Sequence, residues 1–176
     1  TMSALIEFLD GEPQQLRREL QEGKTEQLKL RRGIIGLSLI GMGAMAAVSL
    51  LQTGIVKHLP DPPINSFHSD KVNSVDTAYM LGVPDGPLSL ASLAANIPIA
   101  AFGGINRAQD RPWIPLFAAG KAAIEAVIAS WYFYQMPSKE KAWCGYCITG
   151  ALANVGIFAL TLPEAKEALA TVRKAQ

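Results

Sequence analysis

The sequence predicts an all-α fold: an integral membrane four-helix bundle with an amphipathic N-terminal cytosolic helix and a short C-terminal cytosolic helix. Three observations predict it. Of 176 residues, 49% are hydrophobic and 18% charged, below the roughly 25% charged that is usual in soluble domains. The charges are clustered, so whole stretches carry none. No segment shows the strict apolar–polar alternation of a half-buried strand. The net charge of +1 leaves no basic excess to neutralise phosphates, so nucleic acid is not an expected partner; the long uncharged apolar stretches make membrane lipid one. Two cysteines are too few for a multi-bridge secreted scaffold.

Residues 1–32 read as a cytosolic amphipathic segment ending in the basic cluster Lys29, Arg31 and Arg32. A solvated face and a stop-transfer anchor account for such a run. The membrane bundle is expected over residues 33–162. Its first span, 33–56, has no charge and is long enough to cross a hydrocarbon core of about 30 Å. A signal peptide is a poor account of it, because a long polar segment precedes it and no clean small-residue cleavage site follows. Within it, Gly43 and Ala47 have the small-xxx-small spacing that permits close helix approach. The outer loop, 57–85, carries Pro60, Pro62, Pro63 and Pro84 and reads as an ordered lid without long regular structure. The second span, 86–104, is again uncharged.

The third span, 113–136, holds Lys121 and Glu125, four residues apart and so on one helical face. Ionised groups at that depth are costly and should face the bundle interior, as a proton route or as a neutralised packing pair. Trp113, Trp131, Tyr132, Tyr134 and Trp143 read as interfacial aromatics. The fourth span, 144–162, stops at Pro163 and leaves 163–176 as a cytosolic tail.

Lysine and arginine placement orients the bundle. Arg17, Arg18, Lys24, Lys29, Arg31 and Arg32 precede the first span, Arg107 and Arg111 separate the second from the third, and Lys166, Arg173 and Lys174 follow the fourth. The other side has only Lys57, Lys71, Lys139 and Lys141. Both termini are therefore expected in the cytosol, and Cys144 and Cys147 at the outer, oxidising end of the fourth span. C-x-x-C spacing puts both sulfurs on one face of a first helical turn. The positive helix end favours a thiolate there, and a thiolate is the attacking species in disulfide exchange. Half of a zinc site is the first competing account, but no second pair exists and His58 and His68 are the only histidines, so no metal is expected. The string WCGYC also echoes thioredoxin, yet no βαβ pattern surrounds it. A static disulfide, or two thiols at a helix end, stays open.

The pair sits in a longer pattern. Cys144-Gly-Tyr-Cys147-Ile-Thr149, followed by Asn154, is similar to the C-x-x-C-[VIL]-T and later Asn of the vitamin K epoxide reductase family. Asp70 to Pro84, ending Leu81-Gly82-Val83-Pro84, is similar to that family's loop before its second span, which ends L-G-[IV]-P. The resemblance covers roughly residues 32–162 and looks like a bacterial offshoot of the family. It implies a thiol–disulfide oxidoreductase of the bacterial cytoplasmic membrane. In that family electrons pass from a partner's thiols to a loop cysteine pair, then to the membrane C-x-x-C, then to a quinone. The resemblance implies that Cys144 and Cys147 are catalytic, with Cys147 meeting the quinone, and that Asn154 and Thr149 belong to the quinone site. An interhelical hydrogen bond is the plainer account of Asn154.

Two departures matter. No cysteine lies between Lys57 and Asp85, where Ser69-Asp70 stands in the aligned region, and Ala151 replaces a tyrosine that often follows the pair. Two readings are left. In one, the chain is an enzyme whose Cys144 exchanges directly with a periplasmic thioredoxin-like protein. In the other, it is a non-catalytic subunit of a larger respiratory or photosynthetic membrane complex.

Overall fold

A computed structural model of the chain describes residues 13–174. Helix α1 (Pro13–Glu22) ends at a short break, and Thr25 starts the next helix. The Thr25 hydroxyl accepts the Leu28 N–H at 3.4 Å, and Glu26 lies in the first turn, where an acid complements the positive helix end. That helix is α2 (Glu26–Gln52). A loop containing the single-turn helix α3 (Ser69–Val72) and a 3-10 turn (Asp76–Tyr79) leads to α4 (Asp85–Ala101). The short α5 (Arg107–Asp110) precedes α6 (Trp113–Gln135), which widens into a π turn (Met136–Glu140) before α7 (Gly145–Lys174). Among the described residues there is no strand, only an isolated bridge between Phe67 and Trp143.

Among the described residues, three helices are long and apolar enough to cross a membrane: α2, α6 with its π turn, and α7. The apolar α4 has 17 residues, a length of roughly 25 Å. Helix α7 packs against both α2 and α6, and α2 also packs against α4. The core between them is built from Val48, Leu93, Ala122 and Ile157, all nearly fully buried. A Cβ at Gly41 would stand 3.0 Å from Leu93 Cδ1 and 3.1 Å from the Ala153 Cβ, so the absent side chain lets three helices meet there. At Gly86 a Cβ would collide with Gln52 Oε1 at 2.6 Å and Val48 Cγ1 at 2.9 Å, which pins the start of α4 against α2. The outward faces expose Leu39, Ile40, Ile124, Val127 and Leu152. A belt of this kind suits hydrocarbon rather than water.

Several sequence expectations change here. The close-approach glycine is Gly41, because Gly43 faces outward with nothing near it. Helix α2 starts before the apolar run, so Lys29, Arg31 and Arg32 are helical, and Arg31 is only 2% exposed instead of solvated. Pro163 does not end the last helix, which continues to Lys174 with the ring inside it. A proline ring removes one ladder hydrogen bond but leaves a helix passable when neighbours hold both halves. Of the aromatics, Trp113, Trp131 and Tyr134 are exposed as expected. Tyr132 instead turns inward, donating its hydroxyl to the Thr77 carbonyl at 3.3 Å.

The holding contact is an ion cluster. Glu164, one residue past Pro163, accepts Arg107 Nε at 2.8 Å and Arg107 Nη2 at 2.7 Å, and it pairs with Arg31 through Nε at 3.1 Å and through Nη2. Remaining guanidinium protons go to carbonyls where α4 ends: Arg107 Nη1 donates to Ile99 and Phe102 at 2.7 Å each, and Arg31 Nη1 to Gly104 at 3.1 Å. All three side chains are buried. Removing the carboxylate would strand two buried cations, a loss of about 3–5 kcal/mol for comparable buried pairs. Glu164→Ala is therefore expected to lower the thermal midpoint sharply in detergent. Lys29→Ala, which breaks only the exposed Lys29–Glu26 pair, should leave that midpoint unchanged.

Candidate active site

Cys144 is the residue immediately before α7, and its sulfur accepts the backbone N–H of Cys147 at 3.1 Å. This is the N-cap arrangement with sulfur in place of oxygen. Cys144 and Cys147 form a disulfide. Cys144 is fully buried beneath the loop, whereas Cys147 is only partly buried.

The loop is latched over Cys144 by several bonds. Trp143 N–H donates to Ser66 O at 2.8 Å, and His68 N–H donates to Trp143 O at 2.9 Å. Lys71 Nζ donates to Glu140 O at 2.6 Å, and the Tyr146 hydroxyl to Pro60 O at 3.0 Å. Ser69 is buried and donates its hydroxyl to Asp61 Oδ1 at 2.6 Å. Asn73 lies directly over the disulfide, its Nδ2 3.2 Å from Cys144 Sγ and its Oδ1 3.3 Å from Cys147 Sγ. Its backbone carbonyl accepts Gln52 Nε2 at 3.3 Å, and the same amide group donates to Asp85 Oδ1 at 2.6 Å.

Below the loop is a cavity of about 400 Å³, mostly apolar in its lining. Cys147 and Asn73 form part of its wall, with Asn154, Glu125, Gln135 and Ala151. A volume of this order suits a small organic ligand. Ala151 contributes only a methyl group to that wall. Gln135 Nε2 is buried and has no hydrogen-bond partner, so it can serve a ligand acceptor. Asn154 donates Nδ2 to Gly150 O at 3.0 Å, within its own helix rather than across helices. Thr149 stands apart from the cavity lining, with its hydroxyl donating to Gly145 O at 2.9 Å.

Lys121 and Glu125 do pair, and both are largely buried. Lys121 Nζ also donates to Ser92 O at 2.9 Å and Asn96 Oδ1 at 2.8 Å. The Ser92 hydroxyl donates to Glu125 Oε1, and Asn96 Nδ2 to Glu125 Oε2 at 3.2 Å. The charges are thus joined to α4 by neutral polar groups, the inward placement expected of them. Sequence reasoning overlooked Asn73, Gln52 and Gln135. Asn73 lies in the Asp70–Pro84 stretch that resembles the family loop, the one signal that pointed near it.

A bundle of membrane-length helices, with a disulfide in the wall of an apolar cavity, falls among the membrane thiol–disulfide oxidoreductases. A family model described as Vitamin K epoxide reductase family matches residues 33–162. The chain belongs to that family. Neither a curated protein nor a solved structure matches it significantly.

Two predictions follow from the latched loop. After reduction, a maleimide is expected to modify Cys147 well before Cys144, read by peptide mass spectrometry of briefly labelled protein. Equal labelling would mean that the loop does not cover Cys144. The second concerns Asp70. Burial works against its charge, but the Leu59 N–H at 2.8 Å and His58 beside it hold its carboxyl below the ordinary 3.8. A depressed carboxyl anchors the loop fully above the ordinary value and loses that hold as pH falls below it. Relative to the intrinsic rate at each pH, the Leu59 amide should be strongly protected from hydrogen exchange at neutral pH, and less protected once acid has protonated Asp70, or at neutral pH in Asp70→Asn.

Proposed function

We propose that this chain is a quinone-linked membrane thiol oxidoreductase in which Cys144 and Cys147 are the redox pair. The observation that carries the reading is the asymmetric placement of the disulfide. Cys147 is on the wall of the apolar cavity and Cys144 is sealed behind it. Four spans with both termini cytosolic, and the pair at the outer face of a bacterial cytoplasmic membrane, complete the reading. Its support is the lysine and arginine distribution.

When the reduced pair closes, two thiols lose two electrons and two protons as the S–S bond forms. A quinone takes up both and becomes the hydroquinone. Cys147 is the sulfur that meets it. Asn154 and the unpartnered amide of Gln135 orient its carbonyl oxygens, and Glu125, backed by Lys121, exchanges protons at the cavity wall. Thr149 has no part in this proposal, since its hydroxyl is used by its own helix. The thiol partner is a periplasmic thioredoxin-like protein, which must displace the loop to reach Cys144.

The test is a thiol-trapping gel shift on native membranes with and without quinone depletion. The enzyme predicts a disulfide that becomes two free thiols when quinone is removed. It also predicts that Cys144→Ser/Cys147→Ser abolishes quinone-dependent thiol oxidation. An unchanged redox state, with the double variant still assembling, would instead identify a structural subunit of a larger membrane complex.

A further inference from the structure

The contacts of Asn73 divide the two sulfurs. Nδ2 donates to Cys144 Sγ at 3.2 Å and also to Ser69 O at 2.8 Å. A backbone carbonyl only accepts, so the Ser69 contact fixes which end of the amide carries the protons. The oxygen is thereby turned to Cys147 Sγ at 3.3 Å. Cys144 Sγ receives a second donor, the Cys147 backbone N–H at 3.1 Å. Asn73 is 3% exposed, so water does not dilute these contacts. Among the described residues, no other side chain is hydrogen-bonded to either sulfur. The charged groups of the surrounding elements are engaged elsewhere: Asp61 with Ser69, Asp70 with Leu59 and His58, Lys71 with Glu140 O, and Asp85 with Gln52. Glu125, Tyr132 and Glu140 line the cavity on the Cys147 side.

We propose that Asn73 is a positioning residue that makes the reduced pair asymmetric. It holds Cys144 as a thiolate through its N–H and turns its oxygen to the Cys147 thiol at the cavity wall. Donors favour the charged form of a thiol and an acceptor favours the protonated form, so one side chain drives the two groups apart. The inference rests on the redox role proposed above and adds which of the two sulfurs is held charged in the reduced pair.

The experiment titrates single-thiol forms of the full chain in detergent, by ultraviolet absorbance of the thiolate. In Cys147→Ser protein, adding Asn73→Leu is expected to raise the midpoint of Cys144 by about one pH unit, a tenfold loss of thiolate near neutrality. In Cys144→Ser protein the same change is expected to lower the midpoint of Cys147. Opposite shifts are the signature, since general loosening of the loop moves both thiols the same way. If Asn73→Leu does not fold, the smaller Asn73→Ala decides, since it removes donor and acceptor together and adds no charge: the Cys144 midpoint must rise and the Cys147 midpoint fall. Unmoved midpoints, or shifts of one sign with Asn73→Leu, overturn the proposal. Turnover is read separately, so a chain with split midpoints and no quinone-dependent thiol oxidation would refute the enzymatic reading alone.

Discussion

Two guanidinium groups on one buried carboxylate leave a net positive charge inside the protein, and the fold is arranged around making that tolerable. Glu164 takes four of the N–H donors, and the carbonyls where α4 ends take others. Those carbonyls carry the negative end of the α4 dipole, so the excess positive charge meets a complementary field. The arrangement works only if α2, α4, α5 and α7 all arrive together. It explains why α7 continues past Pro163 rather than stopping in the apolar run. It also accounts for an N-terminal arginine being buried.

The opposite end of the bundle is built differently. There separate hydrogen bonds stitch the loop to α2 and to the first turn of α7, and α2 to the start of α4, some of them made by Lys71 and by the carboxylates of Asp61, Asp70 and Asp85. Individually such bonds are modest, about 1–3 kcal/mol each, and none joins two buried charges as the ion cluster does. The division suits a site where sulfur chemistry needs both shielding and access. The membrane interior adds a third polar region, where Lys121 and Glu125 are joined to Ser92 and Asn96 instead of being left bare.

Much of this was legible in the sequence. Apolar runs announce themselves locally, because missing charge over a span is visible without knowing any neighbour. The cysteine pair was legible for the same reason, being contained in one turn. What escaped depended on distant partners. Arg31 borders an apolar run and looks solvated until Glu164, 133 residues away, is brought beside it. Asn73 is one more polar loop residue until the fold sets it against Cys144, 71 residues on. Gly43 and Gly41 differ by two residues, roughly 200° around a helix, and spacing alone cannot say which of them meets α4. The hydroxyl of Thr149 and the amide of Asn154 turned to their own backbone, a choice that residue type permits but does not reveal.

The disulfide joins residues only three apart. Cross-links act largely by restricting the unfolded chain, and a ring this small restricts it by only about 2 kcal/mol, against about 4.7 for a loop of 100 residues. The bond therefore contributes only modestly to folding. In the proposed redox role it is made and broken in one helical turn, while the ion cluster holding the helices lies elsewhere in the bundle. A scaffold cross-link would be placed across distant elements; this one closes a single turn.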